Sequence, residues 1–95
     1  MTYKVQVEKE VIGILNKIDE YCIEHYGNYD FGKKLFNEIV KMQEIIKDNP
    51  NSFYEIKPNH HKIALVNLGY NLYYHVDKLR KKIIIYKLKS FKQEQ

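Results

Sequence analysis

The sequence predicts an α+β domain in which an N-terminal helical hairpin packs on a small sheet, with the element order β-α-α-β-β-β. Three observations predict it. Apolar and polar residues alternate near the N-terminus, apolar residues then recur at three- and four-residue steps as far as residue 46, and alternation returns in the last third of the chain. A chain of 95 residues supports one modest core, so we expect residues 1–95 to form a single domain.

One strand and one helix are predicted at the N-terminus. Tyr3, Val5 and Val7 alternate with polar residues, which is typical of a strand with one buried face. The apolar stripe of the helix that follows is Val11, Leu15, Ile18, Cys22 and Tyr26. Gly27 is expected to end this helix in a left-handed conformation. Because Cys22 lies on the stripe, we expect a buried thiol rather than a reactive one.

A second helix and a loop are predicted next. The apolar stripe of this helix is Phe31, Leu35, Ile39, Met42 and Ile46. Asn28 or Asp30 is expected to cap it, and residues 48–50, which end in a proline, are expected to terminate it. The connection between the helices is so short that they must lie antiparallel. Residues 49–61 are predicted as a loop whose apolar side chains pack on the core, namely Phe53, Tyr54 and Ile56.

The last third of the chain predicts three short strands joined by two tight turns. The strands are Lys62–Asn67, Tyr70–Val76 and Lys82–Lys89. Alternation on the middle strand separates Leu72, Tyr74 and Val76 from Asn71, Tyr73 and His75. On the last strand it separates Ile83, Ile85, Lys87 and Lys89 from Ile84, Tyr86 and Leu88. One sheet face would therefore meet the helices, and the other would present lysines, tyrosines and His75.

Positive charge is concentrated in the half of the chain that predicts the three C-terminal strands. Residues 1–50 hold seven Lys against nine Asp and Glu, a net charge of −2, whereas residues 51–95 hold nine Lys and Arg against three Asp and Glu, a net charge of +6. This asymmetry favours an anionic partner, and a solvated lysine-rich surface is the equal alternative. A single cysteine and the lack of any long apolar stretch favour a cytoplasmic protein without a membrane segment.

No cofactor and no metal are expected. The four glycines do not have the spacing of a nucleotide-binding loop. His60 and His61 are adjacent, so their side chains would point apart in an extended chain, and no Cys, Asp or Glu stands nearby at ligand spacing. They are expected to be a solvated pair in a loop.

The order of elements, the length and the C-terminal pattern together resemble the RelE/ParE superfamily of bacterial toxins. The pattern reads Lys-x-x-x-Val-x-x-x-Tyr-x-Leu-x-Tyr over residues 62–74, followed by the apolar strand at Ile83–Ile85 and by Lys92-Gln93. The resemblance covers nearly the whole chain and implies a small twisted antiparallel sheet packed by two helices. Tyr70 and Tyr74 match the pattern and are expected to fill the layer between sheet and helices.

The resemblance also implies a function and a partner. Members of the superfamily are toxins of type II toxin–antitoxin modules, and a cognate antitoxin wraps around them and holds them inactive. We expect its helix and extended segment to cover the helical hairpin and the basic sheet face. RelE-like members cleave messenger RNA on the ribosome, whereas ParE-like members inhibit DNA gyrase and need no catalytic residues.

The residues of this chain count against the nuclease mechanism. If the chain were a nuclease, the candidate catalytic residues would be Lys62, Lys87, Tyr86, and His61 or its neighbour His60. Lys62 stands where the superfamily often has arginine, and lysine lacks the bidentate geometry that holds a transition-state phosphorane. Ser90 stands where many relatives have histidine, and serine is not a base near neutral pH. The sole arginine, Arg80, falls in a predicted turn.

We therefore predict a ParE-like toxin that inhibits DNA gyrase, arrests growth and serves plasmid stabilisation, and we do not expect an enzyme. A ribosome-dependent endoribonuclease of the RelE type is the alternative, with the ribosome and messenger RNA as its target. A non-toxic binding protein of the same fold is a further alternative. Residues expected to contact the target protein or a nucleic acid are Lys62, Tyr73, His75, Lys87, Lys89 and Lys92.

Overall fold

The computed structural model describes residues 2–94, which form two helices and five strands. In chain order these are β1 (Lys4–Val7), α1 (Lys9–Tyr26), α2 (Asp30–Asp48), β2 (Tyr54–Lys57), β3 (His60–Leu65), β4 (Tyr70–Asp77) and β5 (Lys82–Ser90), followed by a 3-10 turn (Phe91–Glu94). The predicted α+β class and the order of the six predicted elements are confirmed. Strand β2 is an addition, and it lies in the segment that the sequence predicts as a loop.

The sheet is mixed rather than wholly antiparallel. Its strand order is β1-β5-β4-β3-β2, and strands β2 to β5 each run antiparallel to the next one. Strand β1 runs parallel to β5, with Val5 opposite Ile83. A tight turn forces antiparallel pairing, but the helical hairpin and three strands separate β1 from β5 in sequence, so that constraint does not apply to them. The expectation of a fully antiparallel sheet was wrong for this one pairing.

Strand β2 begins a hairpin that the sequence analysis missed. Lys57 pairs with His60 across a two-residue turn in which Asn59 has a positive φ of 65°. Strand β3 therefore starts at His60 rather than at Lys62. The four residues of β2 are all exposed, and Tyr54 retains 73% of its accessible surface. Of the three side chains expected to pack on the core, only Phe53 does so.

Both helices lie on one face of the sheet and share a core with it. Their buried residues in this core are Val11, Leu35, Ile39, Met42 and Ile46, and those of the sheet are Ile63, Leu65, Leu72, Tyr74, Val76, Ile83, Ile85 and Leu88. Gly27 ends α1 with a φ of 72°, and Cys22 is buried, as predicted. Asn28 Oδ1 accepts a hydrogen bond from the Asp30 backbone N–H at the start of α2. Within residues 2–94, neither helix is long and apolar enough to cross a membrane.

A β-bulge at Tyr86 decides which residues of β5 face the helices. Tyr73 pairs with Lys87, but its neighbour Tyr74 pairs with Ile85, so Tyr86 is an extra residue on β5. Strict alternation would have placed Leu88 with Ile84 and Tyr86. The bulge resets the alternation, and Ile83, Ile85 and Leu88 are all buried in the core. The predicted grouping of Ile83 and Ile85 with Lys87 and Lys89 was therefore wrong.

Candidate functional site

The sheet face opposite the helices, here called the open face, carries most of the candidate site residues. Because alternate residues of a strand point to opposite faces, the core positions of β3, β4 and β5 identify the side chains of this face. They are His60, Lys62 and Ala64 on β3, Asn71, Tyr73 and His75 on β4, and Ile84, Lys87 and Lys89 on β5. Tyr86, the extra residue of the bulge, lies on this face too. The sequence thus predicted correctly that lysines, tyrosines and His75 share one face.

Four rings of the open face form a cluster, here called the aromatic cluster: His60, Tyr73, His75 and Tyr86. His60 and His75 are direct cross-strand partners, and their ring centroids are 4.6 Å apart. Tyr86 presents its ring to His60 nearly at right angles with a centroid distance of 5.8 Å, and it lies 6.3 Å from Tyr73. Such tilted and edge-on arrangements are those that aromatic rings prefer. The bulge keeps Tyr86 on this face and adds Lys87, which simple alternation would place on the same face as Ile83 and Ile85.

Lysines flank the aromatic cluster. Lys87 Nζ lies 4.8 Å from the centroid of the Tyr73 ring, which is a cation–π contact. Lys62 is the register partner of Tyr73 on β3, and Lys89 is the partner of Asn71 on β5. All three lysines are partly exposed, and Lys92 is exposed in the 3-10 turn beyond β5. Lys62, Lys87 and Lys89 therefore share the open face and can present positive charge to an anionic partner.

Two tyrosines of the open face are less available than the sequence suggests. Tyr73 was expected to contact the target, but it retains only 5% of its accessible surface. The Lys87 ammonium group lies over the face of its ring, so this face of the ring does not contact solvent. Burial raises the pKa of the Tyr86 phenol above its usual value, which keeps the hydroxyl protonated near neutral pH. Tyr86 is therefore a hydrogen-bond donor and not a ready general base.

His61 lies away from the other candidate catalytic residues. It points to the helix side of the sheet, retains 2% of its accessible surface and stacks on Tyr74 at a centroid distance of 4.8 Å. Its Nδ1 lies 3.0 Å from the Phe53 carbonyl oxygen, and its Nε2 lies 4.0 Å from Glu55 Oε2. The expectation of a solvated histidine pair was wrong, since β3 begins two residues earlier than predicted. Of the four candidate catalytic residues, the open face unites Lys62, Lys87 and Tyr86, with His60 in place of His61.

Tyr70 and Tyr74 have the structural roles that the sequence predicts. Tyr74 is fully buried in the core, and its hydroxyl donates a hydrogen bond of 2.5 Å to the Pro50 carbonyl oxygen. Burial raises the pKa of Tyr74 to about 12. Tyr70 packs on Phe31 of α2 with a centroid distance of 6.2 Å. Both residues connect the sheet to the hairpin or to the segment that follows it.

The turn between β4 and β5 lies at one end of the sheet and carries a second group of cations. Lys78, Arg80 and Lys81 are exposed there, and the Arg80 backbone N–H donates to Asp77 Oδ1. The chain's single arginine is thus fixed in a solvent-exposed turn rather than on the open face. This position agrees with the sequence prediction.

A second surface, which the sequence analysis did not identify, is an apolar cleft on the outer side of the helices, here called the hairpin groove. It has a volume of about 360 Å³ and runs between α1 and α2, with Ile12, Leu15, Tyr29 and Phe36 among its lining residues. Ile12 and Phe36 retain 47% and 55% of their accessible surface. Both lie off the apolar stripes that face the core. An apolar residue on the otherwise polar side of each helix could therefore have indicated this groove in the sequence.

Comparisons with known proteins identify the fold. No model of a known protein family matches the chain, and no curated protein matches it. Among solved structures, a mutant of the Escherichia coli toxin RelE in the free state matches with a TM-score of 0.68 and 16% identity, covering 98% of this chain and 87% of that one. The chromosomal ParDE system of P. aeruginosa matches with a TM-score of 0.73 and 14% identity, covering 94% and 96%. The archaeal RelE–RelB complex of Pyrococcus horikoshii matches with a TM-score of 0.61 and 21% identity, covering 95% and 96%.

Toxins of both branches match over nearly the whole chain, so the preference for a ParE-like protein stays a prediction. The matches leave at most a few residues of this chain uncovered. The chain has the RelE/ParE toxin fold, as the sequence predicts.

Proposed function

We propose that the chain is the toxin of a type II toxin–antitoxin module and that a cognate antitoxin neutralises it. The observation that carries the proposal is the near-complete match to toxins of this fold, some of them solved as complexes with the antitoxin RelB. The hairpin groove adds support from this chain itself. A cleft lined by exposed apolar side chains is typical of a protein-binding surface.

A non-cleaving, ParE-like mechanism with DNA gyrase as the target is the function that the site supports best. Cleavage of RNA needs a general base and a group that stabilises the charged transition state. His61 is buried on the other side of the sheet, and the Tyr86 phenol has a raised pKa. The only arginine lies in the β4–β5 turn. The open face is therefore better suited to bind an anionic surface than to cleave a phosphodiester.

A RelE-type endoribonuclease is the second candidate, and one observation favours it. His60 and His75 lie side by side on the open face. Lys62 is on the same strand as His60, and Lys87 is on β5, the other neighbour of β4. Two imidazoles are able to act as general base and general acid, and the lysines are able to neutralise a phosphate. This pair includes His60, the predicted alternative to His61 as the catalytic histidine.

Inducible expression in a bacterial host separates these functions. We expect growth arrest with the DNA damage response induced and messenger RNA intact, as for a gyrase poison. Replacing both Lys62 and Lys87 by alanine should weaken the arrest, because both lysines belong to the open face. The matched control replaces Lys78 and Lys81 in the β4–β5 turn, and it should leave the arrest unchanged.

Two other outcomes contradict the preferred mechanism. Cleaved transcripts that become intact in the His60→Ala and His75→Ala double variant would establish the endoribonuclease. Normal growth with folded protein present would mean a non-toxic binding protein of the same fold.

A further inference from the structure

Two histidines of the aromatic cluster are close enough to bind one ligand together, which the proposed toxin function does not require. His60 and His75 are opposite each other on neighbouring antiparallel strands, and both are partly exposed on the open face. Side chains directly opposite on such strands have Cβ atoms about 4.5–5.5 Å apart. Two imidazoles at this spacing are able to reach one common ligand.

Backbone contacts already orient one of the two rings. His60 Nδ1 lies 3.0 Å from the Pro58 carbonyl oxygen. In a neutral ring this hydrogen bond places the proton on Nδ1 and leaves the lone pair on Nε2. Histidines that bind metals usually have this arrangement, in which the second ring nitrogen donates to a carbonyl or carboxylate and fixes the ring. The Pro58-Asn59 turn, in which Asn59 has a positive φ, places this carbonyl within hydrogen-bond distance of the His60 ring.

The distance between the rings matches that of two histidines on one metal ion. With zinc–nitrogen bonds of about 2.0–2.1 Å, two coordinated imidazoles have ring centroids about 4.5–5.2 Å apart, depending on the angle at the metal. The observed distance between the centroids of His60 and His75 is 4.6 Å, with 34° between the ring planes. The two rings are therefore as close as two imidazoles that share one ion.

We propose that His60 and His75 form a binding site for a divalent transition-metal ion of the Zn²⁺ or Ni²⁺ class. Imidazole ligands suit these ions and not Mg²⁺ or Ca²⁺, which require oxygen ligands. In residues 2–94 no third His, Cys, Asp or Glu side chain completes the pair, so a bound ion would take its remaining ligands from solvent. Lys62 and Lys87 lie on the same face and repel a cation, which makes the site a weak one.

The site differs from the one that the sequence excluded. The adjacent residues His60 and His61 do point to opposite faces, so that pair binds nothing together. The partner of His60 is fifteen residues away in sequence, and only the β3–β4 register brings it close. Neither spacing nor composition reveals such a pair.

Isothermal titration calorimetry of the full chain with Zn²⁺, Ni²⁺ and Mg²⁺ tests the proposal. The chain is made by cell-free synthesis without a histidine tag, so toxicity and an added metal site do not interfere. We expect one saturable site for Zn²⁺ and for Ni²⁺, none for Mg²⁺, and a melting temperature that rises with Zn²⁺. His60→Ala and His75→Ala should each weaken binding by about tenfold or more, since both ligands are needed.

His25→Ala is the matched control, because His25 is an exposed histidine on α1, remote in sequence from the pair. It should leave the affinity unchanged. Circular dichroism verifies folding of each variant, and His75→Gln, which keeps much of the side-chain volume, replaces any alanine variant that unfolds. Absence of saturable Zn²⁺ binding to the unmodified chain overturns the proposal. Binding that survives loss of either His60 or His75 overturns it too.

Discussion

At the scale of single residues, Tyr74 joins the sheet to the segment after α2. Its buried hydroxyl donates to the Pro50 carbonyl oxygen, and its ring stacks on His61. Tyr74→Phe keeps the ring and leaves that carbonyl without its donor, so the free energy of unfolding should fall by about 1–3 kcal/mol. Urea denaturation measures this, and Tyr54→Phe on the exposed strand β2 is the control, with an expected change within about 0.5 kcal/mol. Equal effects of the two changes would mean that the hydroxyl of Tyr74 contributes nothing.

The same residue predicts how stability depends on alkaline pH. The pKa of Tyr74 rises from its ordinary value of 10.0 to about 12 in the folded chain. Between these values the unfolded chain binds fewer protons than the folded one, so the contribution of Tyr74 is complete below pH 10 and is lost as pH rises towards 12. The slope from this residue reaches about 1.4 kcal/mol per pH unit. Urea midpoints measured from pH 9 upwards should decline less steeply in Tyr74→Phe, and parallel curves would contradict the assignment.

Single residues also mark where sequence reasoning succeeds and fails. The buried roles of Cys22 and Tyr74 could be predicted because their own segments are strongly periodic. His61 could not, because a strand that begins two residues earlier makes it part of the sheet rather than of a loop. The bulge at Tyr86 could not be predicted either, since the segment contains no Gly or Pro that would indicate it. The faces of β5 therefore depend on packing and not on a local pattern.

At the scale of secondary-structure elements, two glycines in the helices behave differently. A Cβ at Gly32 of α2 would lie 1.9 Å from Asp19 Oδ1 of α1, whereas a Cβ at Gly13 of α1 has no atom within 4 Å. Gly13→Ala should raise the free energy of unfolding by about 0.5–1 kcal/mol through helix propensity alone. Gly32→Ala displaces the Asp19 carboxylate from the first turn of α2, where the helix dipole favours a negative charge, and should gain nothing or lose stability.

A double-variant cycle at Asp19 and Gly32 tests whether the Asp19 carboxylate is the reason that Gly32→Ala does not stabilise the chain. In an Asp19→Ala background the obstructing carboxylate is gone, so Gly32→Ala should become stabilising by about as much as Gly13→Ala. Thermal or urea unfolding measures all four chains. An equal gain from Gly13→Ala and Gly32→Ala in the unmodified background would show that the two helices are not in close contact at Gly32.

The elements themselves divide into those that a sequence reveals and those it does not. Helices α1 and α2 are long, and their stripes repeat several times, so the pattern identifies both. Strand β2 has four exposed residues and therefore no alternation of burial to detect. The parallel pairing of β1 with β5 is likewise a long-range choice that no turn encodes. Strand β2 and the β1–β5 pairing are therefore determined by tertiary contacts and not by a local sequence pattern.

At the scale of the whole molecule, the two candidate binding surfaces lie on opposite sides. The open face carries Lys62, Lys87 and Lys89, and the hairpin groove carries apolar side chains on the far side of the helices. The proposed function assigns the open face to the target, whereas the antitoxin is expected to contact both surfaces. A change in the groove alone should therefore separate neutralisation by the antitoxin from toxicity, which changes on the open face cannot do.

Phe36→Glu tests this separation. A carboxylate in the apolar groove would be desolvated by a bound helix, so binding of the antitoxin should weaken by about 2 kcal/mol or more, or roughly 30-fold. The measurement is co-expression with the antitoxin that the proposed function requires, followed by growth and co-purification. Phe36→Glu should keep arresting growth and escape rescue by the antitoxin.

Leu79→Glu in the β4–β5 turn is the control, because Leu79 is 94% exposed and lies outside the groove, and the antitoxin should still rescue it. Full rescue of Phe36→Glu would mean that the antitoxin binds elsewhere, and the open face would then be the surface that both partners share.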